Sequence, residues 1–360
     1  LMFLLMLLLG FALLFLNLSK AFSNKLKFII PSIFVLGTLF SFFFREYIFF
    51  CATQTFFFIF TCIALSFYLI FDLPLLFLKI KKKTNIKKEQ KVSLAIFFIS
   101  FILTIVFLIF GIPNNANYKI RNLSIPISKE HSPFSVVFFS DLHLDPLFKA
   151  SKLEQLAIHL DSLQPDYIFF GGDLADMDIS ALNQKGFDKL LQKITSKAKK
   201  GTYAVLGNHE AYMTRNGSNS KEWMQYVGMK VLVDSTICNE DFCLTGRQDF
   251  QVARLNETER LPLEKLAPKD TTRLWLLLDH QPHGIEETYQ GPLPLLSISG
   301  HTHNGQFFPG TILIDLIWPL DYGLGTINNA PWLVSSGVDS WGPPVRIGSE
   351  TEIWFLSFTP

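Results

Sequence analysis

Charged residues and cysteines are scarce in this sequence. Among its 360 residues only 18% are Asp, Glu, Lys or Arg, and the formal net charge is +1. A chain with no basic excess lacks the field that attracts nucleic acid, so we do not expect a nucleic-acid partner. Of the four cysteines, Cys51 and Cys62 lie in or beside apolar runs, where a free thiol behaves as a small hydrophobic group.

Apolar residues are abundant before Gly111. Four stretches are each about as long as the roughly 17–25 residues that cross a hydrocarbon core: Leu1–Leu18, Phe28–Phe44, Phe56–Leu78 and Leu94–Gly111. We predict an all-α transmembrane region over residues 1–112, a linker over 113–132 and a catalytic domain over 133–360. A signal peptide would explain only the first stretch. Because the chain begins with Leu rather than Met, we expect an unusual start codon or further residues before it.

The lysines between these stretches indicate an orientation. Lys20, Lys25 and Lys27 separate the first two, and the segment Lys79–Lys91 separates the last two. Lys-rich loops stay in the cytoplasm, so we expect an integral protein of the bacterial inner membrane with its catalytic domain on the outer side. The stretches contain very little charge, which disfavours a non-enzymatic transporter or sensor.

Short apolar runs followed by polar turns dominate the chain beyond Asn114. "FSVVFFS" precedes "DLHLD", "PDYIFFG" precedes "GDLAD", "GTYAVL" precedes "GNHE", "RLWLLL" precedes "DHQPHG" and "PLLSIS" precedes "GHTHNGQ". Such runs are typical of strands buried on both faces, and helical patterns intervene at Lys152–Leu163 and Phe187–Ala198. We predict an α/β domain in which two sheets form a β-sandwich flanked by helices.

Potential metal ligands follow these strands. Chemistry in such folds gathers at the carboxyl ends of the strands, and the turns there carry two carboxylates, one carboxamide and several imidazoles: Asp141, His143, Asp173, Asn208, His209, His280, His301 and His303. Oxygen and imidazole donors without thiolate suit divalent ions such as Mn, Fe or Zn. The donors are too numerous for one tetrahedral ion, so we expect a pair of ions that share a carboxylate, an arrangement suited to attack at phosphorus.

Each motif alone has an ordinary structural explanation. An H-x-H in a glycine-rich loop is commonly a surface loop, Asp141 commonly caps a turn, and "GNHE" is compatible with a turn before a helix. The metal hypothesis therefore depends on the joint occurrence of suitable donors at five separate strand ends.

The motifs "SDLHLD", "GGDLAD", "GNHE", "DHQPHG" and "GHTHNGQ", in this order, resemble those of the calcineurin-like metallophosphoesterases. The resemblance covers about Phe134 to Pro360. It implies one metal held by Asp141, His143, Asp173 and His303. A second metal would be held by Asn208, His280, His301 and the bridging Asp173. It further implies that His209 contacts the scissile phosphate and protonates the leaving group.

The membrane-attached N-terminus resembles the bacterial membrane-associated branch of that family. Part of that branch resembles UDP-2,3-diacylglucosamine pyrophosphatases of lipid A biosynthesis, which release UMP and a lipid monophosphate. The resemblance implies a nucleotide-linked lipid substrate. UDP-sugars are cytoplasmic, whereas the lysine pattern places the domain outside. An exported phosphodiesterase or phosphatase of envelope lipids is therefore the alternative.

Cys238 and Cys243 lie in a segment, "VLVDSTICNEDFCLTG", that alternates like two short strands around a polar turn. A two-residue turn at Glu240 and Asp241 would place the cysteines opposite each other. A cross-strand disulfide would agree with an exported domain, although the spacing also allows two free thiols.

Overall fold

Apolar helices occupy the described part of the N-terminal third. The computed structural model describes residues 48–67, 70, 86–215 and 217–360. Helix α1 spans Ile48–Phe67 and helix α2 spans Ile86–Ala116. Of the described residues, one helical stretch, Leu94–Ala116, is long and apolar enough to cross a membrane. It contains the fourth predicted span. The third is helical up to Phe67, and its remainder, like the first two predicted spans, lies outside the described residues except for Ile70.

The chain divides into two units, one comprising residues up to Ile112 with Gly342–Val345, the other Pro113–Trp341 with Arg346–Pro360. The strands of the second unit are β1 (Lys119–Pro126), β2 (Phe134–Phe139), β3 (Tyr167–Phe170), β4 (Gly201–Ala204), β5 (Lys230–Val231), β6 (Ser235–Cys238), β7 (Phe242–Gly246), β8 (Leu274–Leu278), β9 (Leu296–Ser299), β10 (Gly323–Ile327), β11 (Ala330–Val334) and β12 (Glu352–Thr359). Its helices are α3 (Ala150–Leu163), α4 (Ile179–Gln184), α5 (Phe187–Thr195), α6 (Asn208–Arg215), α7 (Ser220–Tyr226), α8 (Phe250–Leu255), α9 (Leu263–Leu266) and α10 (Gly310–Asp315).

Two mixed six-stranded sheets form the second unit, with strand orders β1-β12-β2-β3-β4-β5 and β10-β11-β9-β8-β7-β6. Strands β2, β3 and β4 are parallel neighbours in the first sheet, and β7, β8 and β9 are parallel neighbours in the second. The predicted α/β domain with two sheets and flanking helices is therefore confirmed.

Alternation along the strands explains the layers. Phe138 and Phe169 face the second sheet and pack with Leu276 and Ile298 between the sheets. Their neighbours in sequence, such as Phe139, point to the opposite face and pack against the outer helices. Because successive strand residues point to opposite faces, a strand without polar residues can be covered on both sides.

Part of the predicted linker over 113–132 has regular structure, because Lys119–Pro126 is strand β1. This strand pairs in parallel with β12, from Lys119 opposite Glu352 to Pro126 opposite Thr359. Its hydrogen-bond partner lies more than 200 residues later in the chain. It is an edge strand whose only fully buried residue is Ile125, so its sequence lacks the apolar run that identifies the central strands.

Candidate metal centre

Backbone hydrogen bonds tie the strand-end turns to one another. The amides of Asp141 and His143 donate to the carbonyls of Gly172 (2.9 Å) and Asp173 (3.2 Å), which joins the turns after β2 and β3. Between the two sheets, the amide of His301 donates to the Asp141 carboxylate oxygens at 3.1 and 3.2 Å. The turns after β2, β3 and β9 therefore converge on one side of the sandwich.

Asp141, His143 and His303 form the first group of donors. The Nε2 atoms of His143 and His303 lie 3.1 Å apart, and Asp141 Oδ1 lies 4.0 Å from the first and 3.6 Å from the second. Atoms that bind one metal at about 2.0–2.2 Å lie roughly 3–4 Å from one another. The spacing fits a single cation.

Asp173, Asn208, His280 and His301 form the second group. Three atoms surround His280 Nε2: Asp173 Oδ2 at 3.1 Å, Asn208 Oδ1 at 3.2 Å and His301 Nδ1 at 3.2 Å. These spacings also fit one cation. The second group is the set that the family resemblance implies for the second metal, and the first group is the set implied for the first metal without Asp173. The binding of metal by either group stays a prediction.

Asp173 lies between the two groups. Its Oδ2 atom is 3.1 Å from His280 Nε2 and 3.8 Å from His143 Nε2. Its other oxygen, Oδ1, accepts a hydrogen bond of 2.8 Å from the amide of His209. This position between the groups is the one that the bridging role requires.

Hydrogen bonds behind the rings orient two of the predicted ligands. His280 Nδ1 donates to the Gly171 carbonyl at 2.7 Å, and His143 Nδ1 donates to Asp176 Oδ2 at 3.2 Å. With the proton on Nδ1, the Nε2 lone pair of each ring is directed at its donor group. Metal-binding histidines use the same pairing to a carbonyl or carboxylate.

Asp176 also holds the predicted catalytic histidine. Its Oδ1 atom accepts a hydrogen bond from His209 Nδ1, and the rings of His209 and His143 are perpendicular with centroids 4.5 Å apart. Burial lowers the pKa of His209, but Asp176 and Asp173 outweigh burial and raise that pKa to about 10. Asp176 is the last residue of the motif "GGDLAD", but no role for it was predicted from the sequence. The signal for it was a second carboxylate three residues after Asp173.

The electrostatics of the second group favour added positive charge. Burial opposes ionisation of Asp173, but His280 and His209 outweigh burial and hold its pKa well below its ordinary value. Burial likewise opposes a charged His280, but Asp173 and Asp141 raise its pKa well above the ordinary value. Burial and the adjacent His280 lower the pKa of His301 to about 3. The low pKa keeps the His301 imidazole neutral, which is the protonation state that a metal ligand requires.

Backbone strain is concentrated in these turns. Five of the predicted ligands have positive φ angles: Asp141 (56°), His143 (43°), Asp173 (57°), His301 (74°) and His303 (52°). Residues other than glycine rarely adopt this backbone conformation, and each such residue costs about 1–3 kcal/mol. Gly207 lies so close to the Asp173 carboxylate, and Gly300 so close to that of Asp141, that a Cβ at either position would clash. Strain of this kind is typical of functional sites.

Two buried charged residues, which were not predicted from the sequence, form hydrogen bonds that stabilise the turns. Glu210 accepts hydrogen bonds from the amides of Gly207, Asp173 (3.0 Å) and Leu174 (2.7 Å) and so joins the turns after β3 and β4. It lies within the quoted motif "GNHE". Arg346 has no such signal, because its partners are distant in sequence.

Arg346 is fully buried beside the His303 loop. Its Nη1 atom donates to the His303 carbonyl at 2.6 Å, and its Nη2 atom donates to the carbonyls of Ser336 (2.7 Å) and Asp339 (2.6 Å). Burial lowers the pKa of the guanidinium to about 10. Nη2 also lies 3.0 Å from His303 Nδ1. Because both Nη2 protons have shorter bonds to carbonyls, this contact does not determine which ring nitrogen of His303 carries the proton.

The sequence is similar to those of known metallophosphoesterases. The family model for calcineurin-like phosphoesterases matches residues 134–305. The chain is 30% identical over 241 residues to an uncharacterized metallophosphoesterase of Aquifex aeolicus, covering 66% of this chain and 88% of the relative. It is 32% identical over 270 residues to a Danio rerio protein named transmembrane protein with metallophosphoesterase domain, covering 71% of this chain and 61% of the relative.

A Helicobacter pylori relative, an uncharacterized metallophosphoesterase, is 29% identical over 247 residues, which cover 68% of this chain and 65% of the relative. The chain thus spans less than two thirds of the length of the Danio rerio and Helicobacter pylori relatives. The strand-end motifs, the two sheets and the match over 88% of the Aquifex aeolicus protein point to the same conclusion. The chain belongs to the calcineurin-like phosphoesterase family.

Proposed function

We propose that this chain is a membrane-anchored, two-metal phosphoesterase that hydrolyses a phosphodiester or pyrophosphate bond in a lipid-linked substrate. The observation that carries the proposal is the position of Asp173, whose Oδ2 atom lies 3.1 Å from His280 Nε2 and 3.8 Å from His143 Nε2. A carboxylate between two histidine-rich groups is suited to bridge a pair of divalent ions such as manganese, iron or zinc. Bound as a pair, such ions activate water and neutralise charge on the phosphoryl oxygens.

The protein's own residues supply orientation and a proton. Asp176 holds His209 through Nδ1, which leaves Nε2 to act on the substrate. The amide of His209 is fixed on Asp173 Oδ1, so the ring is attached to the same carboxylate that joins the two groups. His209 then acts as the general acid, because it donates the proton on Nε2 to the oxygen that leaves the phosphorus.

The apolar stretch Leu94–Ala116 supports a membrane anchor. Only 22% of its 18 most apolar consecutive residues are buried. Side chains such as Ile109 (61% exposed) and Phe110 (64% exposed) are far more accessible than those of a core helix. The Danio rerio and Bos taurus relatives are named as transmembrane proteins. The lysine distribution supports an inner-membrane protein with its catalytic domain outside.

UDP-2,3-diacylglucosamine is one candidate substrate, on the basis of the motif resemblance. The disulfide favours a second candidate, an envelope lipid that is cleaved on the outer side. Cys238 and Cys243 are directly opposite each other in the β6–β7 hairpin and are joined by a disulfide. Disulfides persist in oxidising compartments, whereas UDP-sugars are cytoplasmic.

A substrate panel tests the proposal with the purified full chain in detergent. The panel contains UDP-2,3-diacylglucosamine, a phospholipid with a phosphodiester head group and a water-soluble activated phosphodiester. We expect Mn²⁺-dependent release of product, with a lipid preferred over the soluble ester. Release of UMP would select the first candidate, and cleavage of the phospholipid would select the second. Turnover that continues after chelation of all divalent ions would contradict the two-metal proposal.

A further inference from the structure

An apolar, exposed segment directly follows the loop that carries His301 and His303. It runs from Phe308 to Trp318 and includes α10, which has no buried residue. Its large side chains are strongly exposed: Phe308 54%, Ile312 56%, Leu313 54%, Leu316 77% and Ile317 69%. Clusters of exposed apolar side chains on a folded domain mark a surface that is covered by a partner or a membrane.

Two tryptophans connect this surface to the predicted metal centre. The ring centroid of Trp318 lies 5.2 Å from that of His301. On the other side, Trp341, which is 46% exposed, has its centroid 6.1 Å from that of His209. One indole therefore contacts a predicted ligand and the other contacts the predicted acid. Indoles are enriched where a protein meets the lipid head groups, because they have an apolar body and one polar N–H.

The end of the apolar stretch Leu94–Ala116 is bonded to the same part of the catalytic unit. Asn115 donates to Asp339 Oδ1 at 2.6 Å and accepts from the Ser340 hydroxyl at 2.7 Å. Trp341 is the next residue. Its amide and carbonyl pair with the side-chain amide of Gln306 at 3.0 and 3.1 Å. Gln306 lies two residues before Phe308. The N-terminal end of the second unit thus lies close to Trp341, which Gln306 joins to the exposed segment.

We propose that Phe308–Trp318 and Trp341 insert into the interfacial region of the bilayer and hold the metal centre at the level of the lipid head groups. We call this set of residues the bilayer face. The proposal rests on the proposed membrane anchor, and it does not depend on which lipid is cleaved.

The composition of the bilayer face indicates insertion driven by apolar burial. Asp315 is the only charged residue among residues 307–320, so attraction to anionic lipids is not expected to contribute. Leu, Ile, Phe and Trp without lysine or arginine suit the boundary between head groups and acyl chains of a neutral bilayer. A second copy of the chain could cover the same side chains, but it would not account for the span that ends beside them.

Quenching of tryptophan fluorescence by brominated lipid tests the proposal. The six tryptophans all follow residue 222, and the N-terminal third has none, so the signal reports on the catalytic unit alone. The full chain is reconstituted into vesicles of phosphatidylcholine with plain or brominated acyl chains. We expect brominated lipid to quench the fluorescence. Trp318→Phe and Trp341→Phe should each remove part of that quenching, and the double replacement should remove nearly all of it.

A double variant, Leu316→Ser with Ile317→Ser, should also abolish quenching, because both exposed side chains become polar. The matched control is Ile158→Ser on α3, since Ile158 is 60% exposed and lies outside the bilayer face; its quenching should equal that of the wild type. Circular dichroism establishes that each variant is folded. Absence of quenching in the wild type, or quenching that survives loss of both tryptophans, would overturn the proposal. So would a dimer that dissociates in the Leu316→Ser and Ile317→Ser variant.

Quenching and hydrolysis are separate readouts. A wild-type chain that is quenched but hydrolyses no member of the substrate panel keeps the bilayer face and refutes the proposed function. A chain that hydrolyses the soluble phosphodiester but is not quenched keeps the proposed phosphoesterase function and refutes the bilayer face.

Discussion

Asp173 Oδ2 lies 3.1 Å from His280 Nε2, although the two residues follow strands of different sheets. Asp173 follows β3 of the first sheet and His280 follows β8 of the second. Their proximity requires that both sheets end at the same edge of the sandwich and in the right register. The centre is therefore a product of the packing between the sheets, and it depends on residues such as Phe138 and Leu276 in the layer between them.

Replacement of Asp173 by Asn should remove both the shared charge and the turnover. Replacing the residues that support metal ligands commonly costs about 10–100-fold, so we expect a loss above roughly 100-fold for a shared ligand. Metal content of the purified chain, measured by mass spectrometry, should fall at the same time. Asp188→Asn is the matched control, since Asp188 is a buried aspartate on α5. A variant that keeps both its metals and its turnover would contradict the bridging role.

Removal of divalent metal should lower the melting temperature of the wild type. A ligand at a thousand times its Kd stabilises the folded state by about 4 kcal/mol, and here the strained turns at Asp141 and His303 would lose their cation. We expect chelation to lower the melting temperature and Mn²⁺ to restore it, as followed by differential scanning calorimetry. In Asp173→Asn the same treatment should have little effect. An unchanged wild-type melting temperature would argue against metal in this site.

Asp176 should act through His209. A general acid contributes roughly 10²–10⁴-fold to the rate, so His209→Ala should reduce kcat within that range. We expect Asp176→Asn to cost about 10–100-fold, because the amide cannot hold a protonated Nδ1 as a carboxylate does. In the double variant the losses should be less than additive, because both changes remove the contribution of His209 and only the bond from Asp176 to His143 is lost in addition. Fully additive losses in kcat would show that Asp176 works independently of the ring.

The central strands and the chemistry at their ends could be predicted from local sequence. Runs such as "YIFF" at β3 are wholly apolar because both faces are covered, and the turn after each run carries its ligand within a few residues. Strand β1 could not be found in this way, since an edge strand with alternating polar residues is fixed by pairing with β12. Its partner is distant in sequence, and only the folded chain brings the two together.

The residues that support the site are likewise of two kinds, those identifiable from local sequence and those positioned by contacts with distant residues. Asp176 and Glu210 are inside motifs that were recognised, so attention to the neighbours of Asp173 and His209 would have found them. Arg346 lies 43 residues beyond His303, which it contacts, and no spacing pattern links the two. The disulfide was left open because two cysteines in a short hairpin are compatible with either oxidation state, and the register of β6 on β7 settles the pairing.

Arg346→Met should destabilise the His303 loop. The change removes donors from the carbonyls of His303, Ser336 and Asp339. A buried group left without a partner costs about 1–3 kcal/mol, so we expect the free energy of unfolding to fall by about 3 kcal/mol or more. Arg346→Lys should recover only part of it, because one ammonium cannot match the planar fork. Arg273→Met, at an exposed ion pair, is the control in urea unfolding. Equal stabilities of the two methionine variants would contradict this role.

The Cys238–Cys243 disulfide provides a test of sidedness in intact cells. With Cys51 and Cys62 replaced by Ala, a membrane-impermeant thiol reagent should label neither remaining cysteine until a reductant is added, because the disulfide protects both. Labelling after reduction would place the domain outside and favour an envelope-lipid substrate. Labelling only after cell lysis would place it in the cytoplasm, where thiols are kept reduced and UDP-linked lipid is present. Opening so short a loop should cost about 2 kcal/mol, so Cys238→Ala with Cys243→Ala should remain folded but melt earlier.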